Sequence, residues 1–165
     1  MDLLGEGGIT FALSSCPAPP VTSSSHLPEE SALPETLGGV AALLDIEIDE
    51  ASAERVTATM PVTPDHHQPF GLLHGGVSVV LAESAASVGG HLAAPEGRTA
   101  AGIEVNANHV RSVREGTLTA TATPLHTGRT TQVWNVEIRD ADDRLVCASR
   151  CTLAVVEQTD APSTA

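Results

Sequence analysis

Lysine and tyrosine are absent from this sequence, and its large aromatics are limited to Trp134, Phe11 and Phe70. Without lysine, all fixed positive charge rests on eight arginines, set against 21 carboxylates for a formal net charge of -13. That balance excludes a nucleic-acid binder, which needs a basic footprint. The scarcity of aromatics leaves a core of small side chains, each burying little area, so oligomerisation is a natural supplement to stability. Three cysteines, Cys16, Cys147 and Cys151, are too few for a disulfide framework. Two of them are four apart in a predicted strand, about 13 Å from each other, beyond bridging distance. They read as reduced thiols of a cytoplasmic protein. No run approaches the ~20 apolar residues of a membrane span, so no membrane partner is expected. Leu13-Ser-Ser-Cys16 superficially resembles a lipoprotein cleavage site, but the stretch before it holds Asp2 and Glu6 and no positive charge, a poor export signal.

The charge is unevenly spread. Residues 1–54 contain ten carboxylates and no arginine, whereas the remainder nearly balances. Residues 1–32, rich in Ser, Pro and Gly, read as a flexible acidic arm, 33–157 as one folded domain, and 158–165 as a disordered tail. Within the domain a short helix is predicted near Pro34–Leu44. Val56, Ala58, Met60 and Val62 then alternate as one face of a strand. After a loop over Thr63–Leu73, Gly75–Ala94 forms about five and a half turns of helix, apolar nearly all round and therefore buried on most sides. Its small side chains imply a closely packed neighbour. Four strands follow, near 99–111, 116–125, 130–139 and 145–156, separated by Glu115-Gly116, Thr127-Gly128 and Asp140–Asp143. One long helix followed by antiparallel strands is an α+β layout, with a sheet wrapped around a central helix.

Glu83 is the only charged side chain between His74 and His91. A lone carboxylate on an apolar helix is costly unless it is paired or functional. Its bland reading is a structural Glu satisfied by backbone or arginine. Three neighbours favour chemistry. His74-Gly75-Gly76 supplies free N–H groups at the helix N-terminus, suited to an oxygen acquiring negative charge. Ser87 lies on the face of Glu83 and is placed to hold a water. His91 continues that face but lies about 12 Å from Glu83, so it is structural or lines a pocket. Gly75 is also about 12 Å from Glu83 along one helix. If both act on one carbonyl, they come from different subunits. Ser84 and Ser87 lack the Gly-x-Ser-x-Gly elbow. His66, His67 and His74 lack zinc-ligand spacing, and no metal or cofactor is expected.

These residues resemble a known family. Gln68-Pro-Phe-Gly71-Leu-Leu-His74-Gly-Gly76 and Leu81-Ala-Glu83-Ser84 are similar to the hotdog-fold acyl-CoA thioesterases. The nearer branch holds 1,4-dihydroxy-2-naphthoyl-CoA, 4-hydroxybenzoyl-CoA and phenylacetyl-type thioesterases. The likeness continues through Gly102-Ile-Glu-Val-Asn-Ala-Asn-His109-Val-Arg-Ser-Val-Arg-Glu-Gly116, Pro124-Leu-His-Thr-Gly128, Gln132-Val-Trp134 and Arg144-Leu-Val-Cys147, covering about residues 35–156. The resemblance implies a hotdog fold of about five to six strands and a homotetramer built as a dimer of dimers, with active sites at the dimer interface. It implies Glu83 as nucleophile or base, and Gly75 N–H with Gln68 polarising the thioester carbonyl. His74 would help place the thioester, and Ser87 would hold the hydrolytic water. His109 and Phe70 belong to the substrate site, with Arg111, Arg114 and Arg129 for the CoA phosphates. Surface ion pairs are the alternative for those arginines. The reaction implied is hydrolysis of an aromatic acyl-CoA, foremost 1,4-dihydroxy-2-naphthoyl-CoA in menaquinone biosynthesis. A broad housekeeping thioesterase and a non-catalytic CoA-ligand binder are the alternatives. His91 matches no fixed family residue and is a candidate for tuning the acyl pocket.

Overall fold

The computed structural model describes residues 37–158. The acidic arm, Cys16, the Leu13–Cys16 stretch, Pro34–Thr36 of the first predicted helix and residues 159–165 lie outside the described residues.

The first element is α1 (Gly39–Leu43), a shorter helix than the sequence suggests, whose Ala41, with Leu44 just after it, faces the core. Strands β1 (Glu47–Ala51) and β2 (Val56–Val62) follow. β2 buries Val56, Ala58, Met60 and Val62 on one face, as the alternation predicts. β1 is not predicted. Its Glu-Ile-Asp-Glu-Ala run is exposed except at Ile48, and such charged residues suit an outer strand that resists pairing with other chains.

The predicted loop after β2 contains a 3₁₀ turn at Pro64–His66 and a small hairpin, β3 (His67–Gln68) with β4 (Leu72–Leu73). Gly71 closes that hairpin at φ 69°, a conformation glycine adopts freely, and its N–H donates to Gln68 O at 3.0 Å. The long helix α2 spans Gly75–Leu92. Strands β5 (Arg98–His109), β6 (Gly116–Thr127), β7 (Thr131–Arg139) and β8 (Leu145–Glu157) complete the fold, each within about two residues of its predicted bounds.

Six strands form one antiparallel sheet in the order β1-β2-β6-β7-β8-β5, and α2 packs against its inner face. The α+β expectation of a sheet wrapped on one helix is met, with six strands. The closely packed neighbour of α2 is Trp134 on β7. A Cβ on Gly89 would lie 2.5 Å from Trp134 Cη2, so the indole rests directly on the helix backbone. Gln132 and Trp134 form a buried chain: Trp134 Nε1–H donates to Gln132 Oε1 at 2.9 Å, and Gln132 Nε2–H donates to Gly90 O at 3.1 Å. Both polar groups are thereby satisfied. Cys147 and Cys151 are buried free thiols on β8. No helix among the described residues is long and apolar enough to cross a membrane.

Although β5 is hydrogen-bonded to β8, it ends the sheet, and among the described residues nothing pairs with its outer side. It carries a bulge at Ile103, between the pairs Gly102–Leu153 and Glu104–Thr152.

Candidate active site

Most of the predicted site residues fall into two groups, one at the start of α2 and one further along it. The first surrounds the helix N-terminus. His74 is the N-cap, and its Nδ1 accepts the Gly76 N–H at 2.9 Å, which leaves the proton of the neutral ring on Nε2. Val77 N–H donates to His74 O, and the Gly75 N–H, at the first position of the helix, has no acceptor among the described residues. The imidazole of His109 lies over Gly75, where a Cβ would sit 3.1 Å from its Cε1. Gln68, Gly75, His109 and Arg111 line one cleft of about 420 Å³, with Leu72, Leu73 and Val113 as its apolar wall.

Two backbone ties hold this end together. Leu73 N–H donates to Val113 O, and His74 N–H to His66 O. His66 and His67 are bracing residues: His66 Nδ1–H donates to Pro61 O at 2.9 Å and His67 Nε2–H to Arg114 O at 2.7 Å.

The second group lies along α2. Glu83, Ser84 and Ser87 line a separate open groove of about 540 Å³, together with Leu37 and Val40 of the α1 region and Val80 and Val88 of the helix. The Glu83 carboxylate reaches the bulge of β5, where a side chain on Gly102 would overlap Glu83 Oε1. Sequence reasoning missed Gly102 as a site residue. Its one available signal was a glycine interrupting a strand pattern, which marks a bulge or a close approach. The charge of Glu83 is also felt inside the sheet: burial foremost, then Glu83 and Glu104, push the Cys151 thiol up to about 12.

The remaining candidates are scattered. Phe70 is 80% exposed at the tip of the β3–β4 hairpin and lines neither cavity. Arg114 donates Nη1–H to Gly71 O and lines a smaller neighbouring cleft of about 240 Å³. Arg129 sits on the β6–β7 turn, where its carbonyl accepts from Arg98 Nη1, away from Arg111. None of Arg111, Arg114 and Arg129 forms an ion pair among the described residues, so the surface-bridge alternative finds no partner there. His91 does not line the Glu83 groove. Its Nδ1 is 3.0 Å from Thr99 Oγ1 at the far end of α2.

Residues 70–147, which contain Gly75, Glu83, Gly102 and His109, match the thioesterase superfamily. The 1,4-dihydroxy-2-naphthoyl-CoA hydrolase of Escherichia coli is 49% identical over 119 residues, which cover 72% of this chain and 88% of that protein. The chain belongs to the thioesterase superfamily. The proofreading thioesterase EntH of Cronobacter turicensis is 39% identical over 131 residues, 79% of this chain and 96% of that one. A solved thioesterase structure from Haemophilus influenzae superposes with a TM-score of 0.70 at 47% identity, covering 73% of this chain and 85% of that chain. The six-stranded sheet on one helix is thus the hotdog thioesterase fold, and the chain is a thioester hydrolase. Within one thioesterase chain, however, the carboxylate and the N–H donor lie eight residues apart on one helix, about 12 Å along its axis.

Proposed function

We propose that this thioesterase hydrolyses an aromatic acyl-CoA to the free acid and CoA, with 1,4-dihydroxy-2-naphthoyl-CoA as the first substrate to test. The observation that carries the catalytic reading is the Glu83 carboxylate held in a groove against Gly102, on the unpaired edge of the sheet. Glu83 either takes a proton from a water held by Ser87 Oγ as that water adds to the thioester carbonyl, or attacks the carbonyl itself to give a mixed anhydride that this water then cleaves to the free acid. The carbonyl oxygen gains negative charge, and the Gly75 N–H and the Gln68 amide stabilise it as hydrogen-bond donors. His74 Nε2–H helps to place the thioester. The thiolate of CoA then leaves. Arg111, at the mouth of the Gln68–Gly75–His109 cleft, is the first candidate for a CoA phosphate, where a guanidinium fits better than a point charge.

These groups meet on one carbonyl only if two copies of the chain share the site. The long β5, whose outer edge has no partner among the described residues, supports that arrangement, because an unpaired strand edge is a template for another strand. Antiparallel pairing of two β5 strands about an axis near Val105–Asn106 brings the His109 end of each to Gly102 of the other. The donors around Gly75 then face the second copy's carboxylate. A dimer of such dimers is the assembly the family resemblance implies. A cytoplasmic location accords with a CoA-ester substrate and with buried free thiols.

The acyl group is assigned to the groove beside Glu83, whose Leu37, Val40, Val80 and Val88 suit a ring and whose Ser84 suits a ring hydroxyl. The likeness to a proofreading thioesterase favours a second reading, a broad enzyme that clears several acyl thioesters. Thiol release over a panel of aromatic and aliphatic CoA esters separates the two. One aromatic ester preferred by orders of magnitude supports the first, and comparable kcat/KM across the panel the second. In either case Glu83→Ala is expected to lower kcat by about 10²–10⁴-fold, and unchanged turnover would remove Glu83 from the mechanism.

A further inference from the structure

Ser78 is the fourth residue of α2, one small residue in a run of them, and nothing in the sequence distinguishes it. Its side chain is fully buried. Its Oγ lies 2.9 Å from Gly75 O and 2.7 Å from His109 Nε2. A hydroxyl has one proton to give. Gly75 O is a carbonyl and accepts only, so the proton lies between Ser78 Oγ and Gly75 O. Were it directed at His109 instead, two oxygens would face each other at 2.9 Å with no hydrogen between them. Ser78 Oγ therefore accepts from His109, and His109 Nε2 carries the hydrogen.

We propose that Ser78 is a positioning residue: it holds His109 flat over Gly75 with a hydrogen on Nε2, so that whenever the ring is neutral Nδ1 is its acceptor at the cleft. Nδ1 has no partner among the described residues. Two consequences follow, both resting on the thioesterase reading above. His109 has no N–H left to give, so it is not an oxyanion donor, and that task stays with Gly75 N–H and Gln68. The ring instead accepts a hydrogen bond from the thiol side of the substrate. In a pantetheine thioester the first N–H on that side belongs to the amide two carbons from sulfur, and this is the group His109 Nδ1 takes.

The tautomer is read directly from the ring ¹⁵N shifts of histidine-labelled protein at about pH 8, where an unperturbed imidazole is neutral, with His109→Gln to assign the signals. A pyrrole-type Nε2 and a pyridine-type Nδ1 are expected. An Nδ1–H ring, or one averaging between tautomers, overturns the proposal. This measurement needs no turnover, so it fails or succeeds independently of the thioesterase reading, and it stands even if Ser78→Ala does not fold. In folded Ser78→Ala the His109 shifts should move toward a tautomer average, and kcat/KM for an acyl-CoA should fall about tenfold, the size expected for one hydrogen bond. The preference for an acyl-N-acetylcysteamine over the same acyl group on butanethiol, which lacks the amide, should shrink by a similar factor. A preference that survives intact in Ser78→Ala removes the acceptor role. His109 shifts that do not move in that variant remove Ser78 as the positioning residue.

Discussion

At the scale of single residues, the position of Glu83 depends on a residue that carries no chemistry. Gly102 leaves the room that the carboxylate occupies, and its backbone φ is not of the left-handed kind, so alanine is accommodated by the main chain. The methyl group would displace the far end of a flexible side chain rather than the backbone. Gly102→Ala is therefore expected to lower kcat by up to about 10²-fold through a misplacement of about 1 Å, while the urea midpoint stays nearly unchanged. A variant with wild-type kcat would show that the carboxylate works from elsewhere.

Cys151 makes a second prediction at this scale. An ordinary thiol titrates at about 8.5, whereas burial, with Glu83 and Glu104, raises that of Cys151 to about 12. The unfolded chain loses this proton first, so stability falls as pH rises through that window and is unaffected below it. The slope from this one group is about 1.4 kcal/mol per pH unit. Cys147 is shifted in the same direction by burial. Urea titrations from neutral to about pH 10 should show this loss in the wild type and a smaller slope in Cys151→Ala. Equal slopes would contradict the assignment.

At the scale of elements, α2 is defined by what rests on it. Its small residues admit Trp134 onto Gly89, and Leu153 and Ala100 onto Gly90. In a solvent-exposed helix, Gly→Ala gains about 1 kcal/mol of helix propensity. At Gly89 the added methyl would meet an indole that is itself fully buried and fixed through Gln132. Overpacking of that kind costs about 1–3 kcal/mol. Gly89→Ala should accordingly lose stability on balance, measured as a lowered denaturant midpoint at unchanged slope. A stabilised variant would mean that Trp134 can retreat at little cost.

At the scale of the whole molecule, one chain holds two half-sites: the donors at the start of α2 and the carboxylate further along it. Subunit complementation tests whether two copies complete each other. Glu83→Ala and Gln68→Ala are each expected to be strongly impaired alone. Co-expressed and co-purified in equal amounts, they form hybrids in which one site receives Glu83 from one chain and Gln68 from the other. Activity should return to roughly a quarter of wild type, since half the dimers are hybrids and one of their two sites is intact. No recovery, with hybrids verified by differential tags, would place the complete site within a single chain.

Much of this was readable without coordinates, because hydrophobic periodicity is a local property. The even alternation of β2, β7 and β8 and the all-round apolar run of α2 each specify an element from its own residues. Glu83 stood out for the same reason, as one charge in a run that solvates none, and the helical rise alone separated it from Gly75. The family resemblance implied roles for Gln68 and His74, while helical spacing alone put Ser87 on the face of Glu83. β1 escaped because a charged outer strand buries only Ile48 and so carries almost no pattern. The sequence by itself thus determined α2 and the five long strands, the lone carboxylate and the 12 Å problem. Only the tertiary structure decided that β5 ends the sheet, that Gly102 shelters Glu83, and that Ser78 holds His109. Each of those joins residues distant in the chain, 19 apart for Glu83 and Gly102 and 31 for Ser78 and His109. Contacts at such separations depend on strand order and register, which no local pattern encodes.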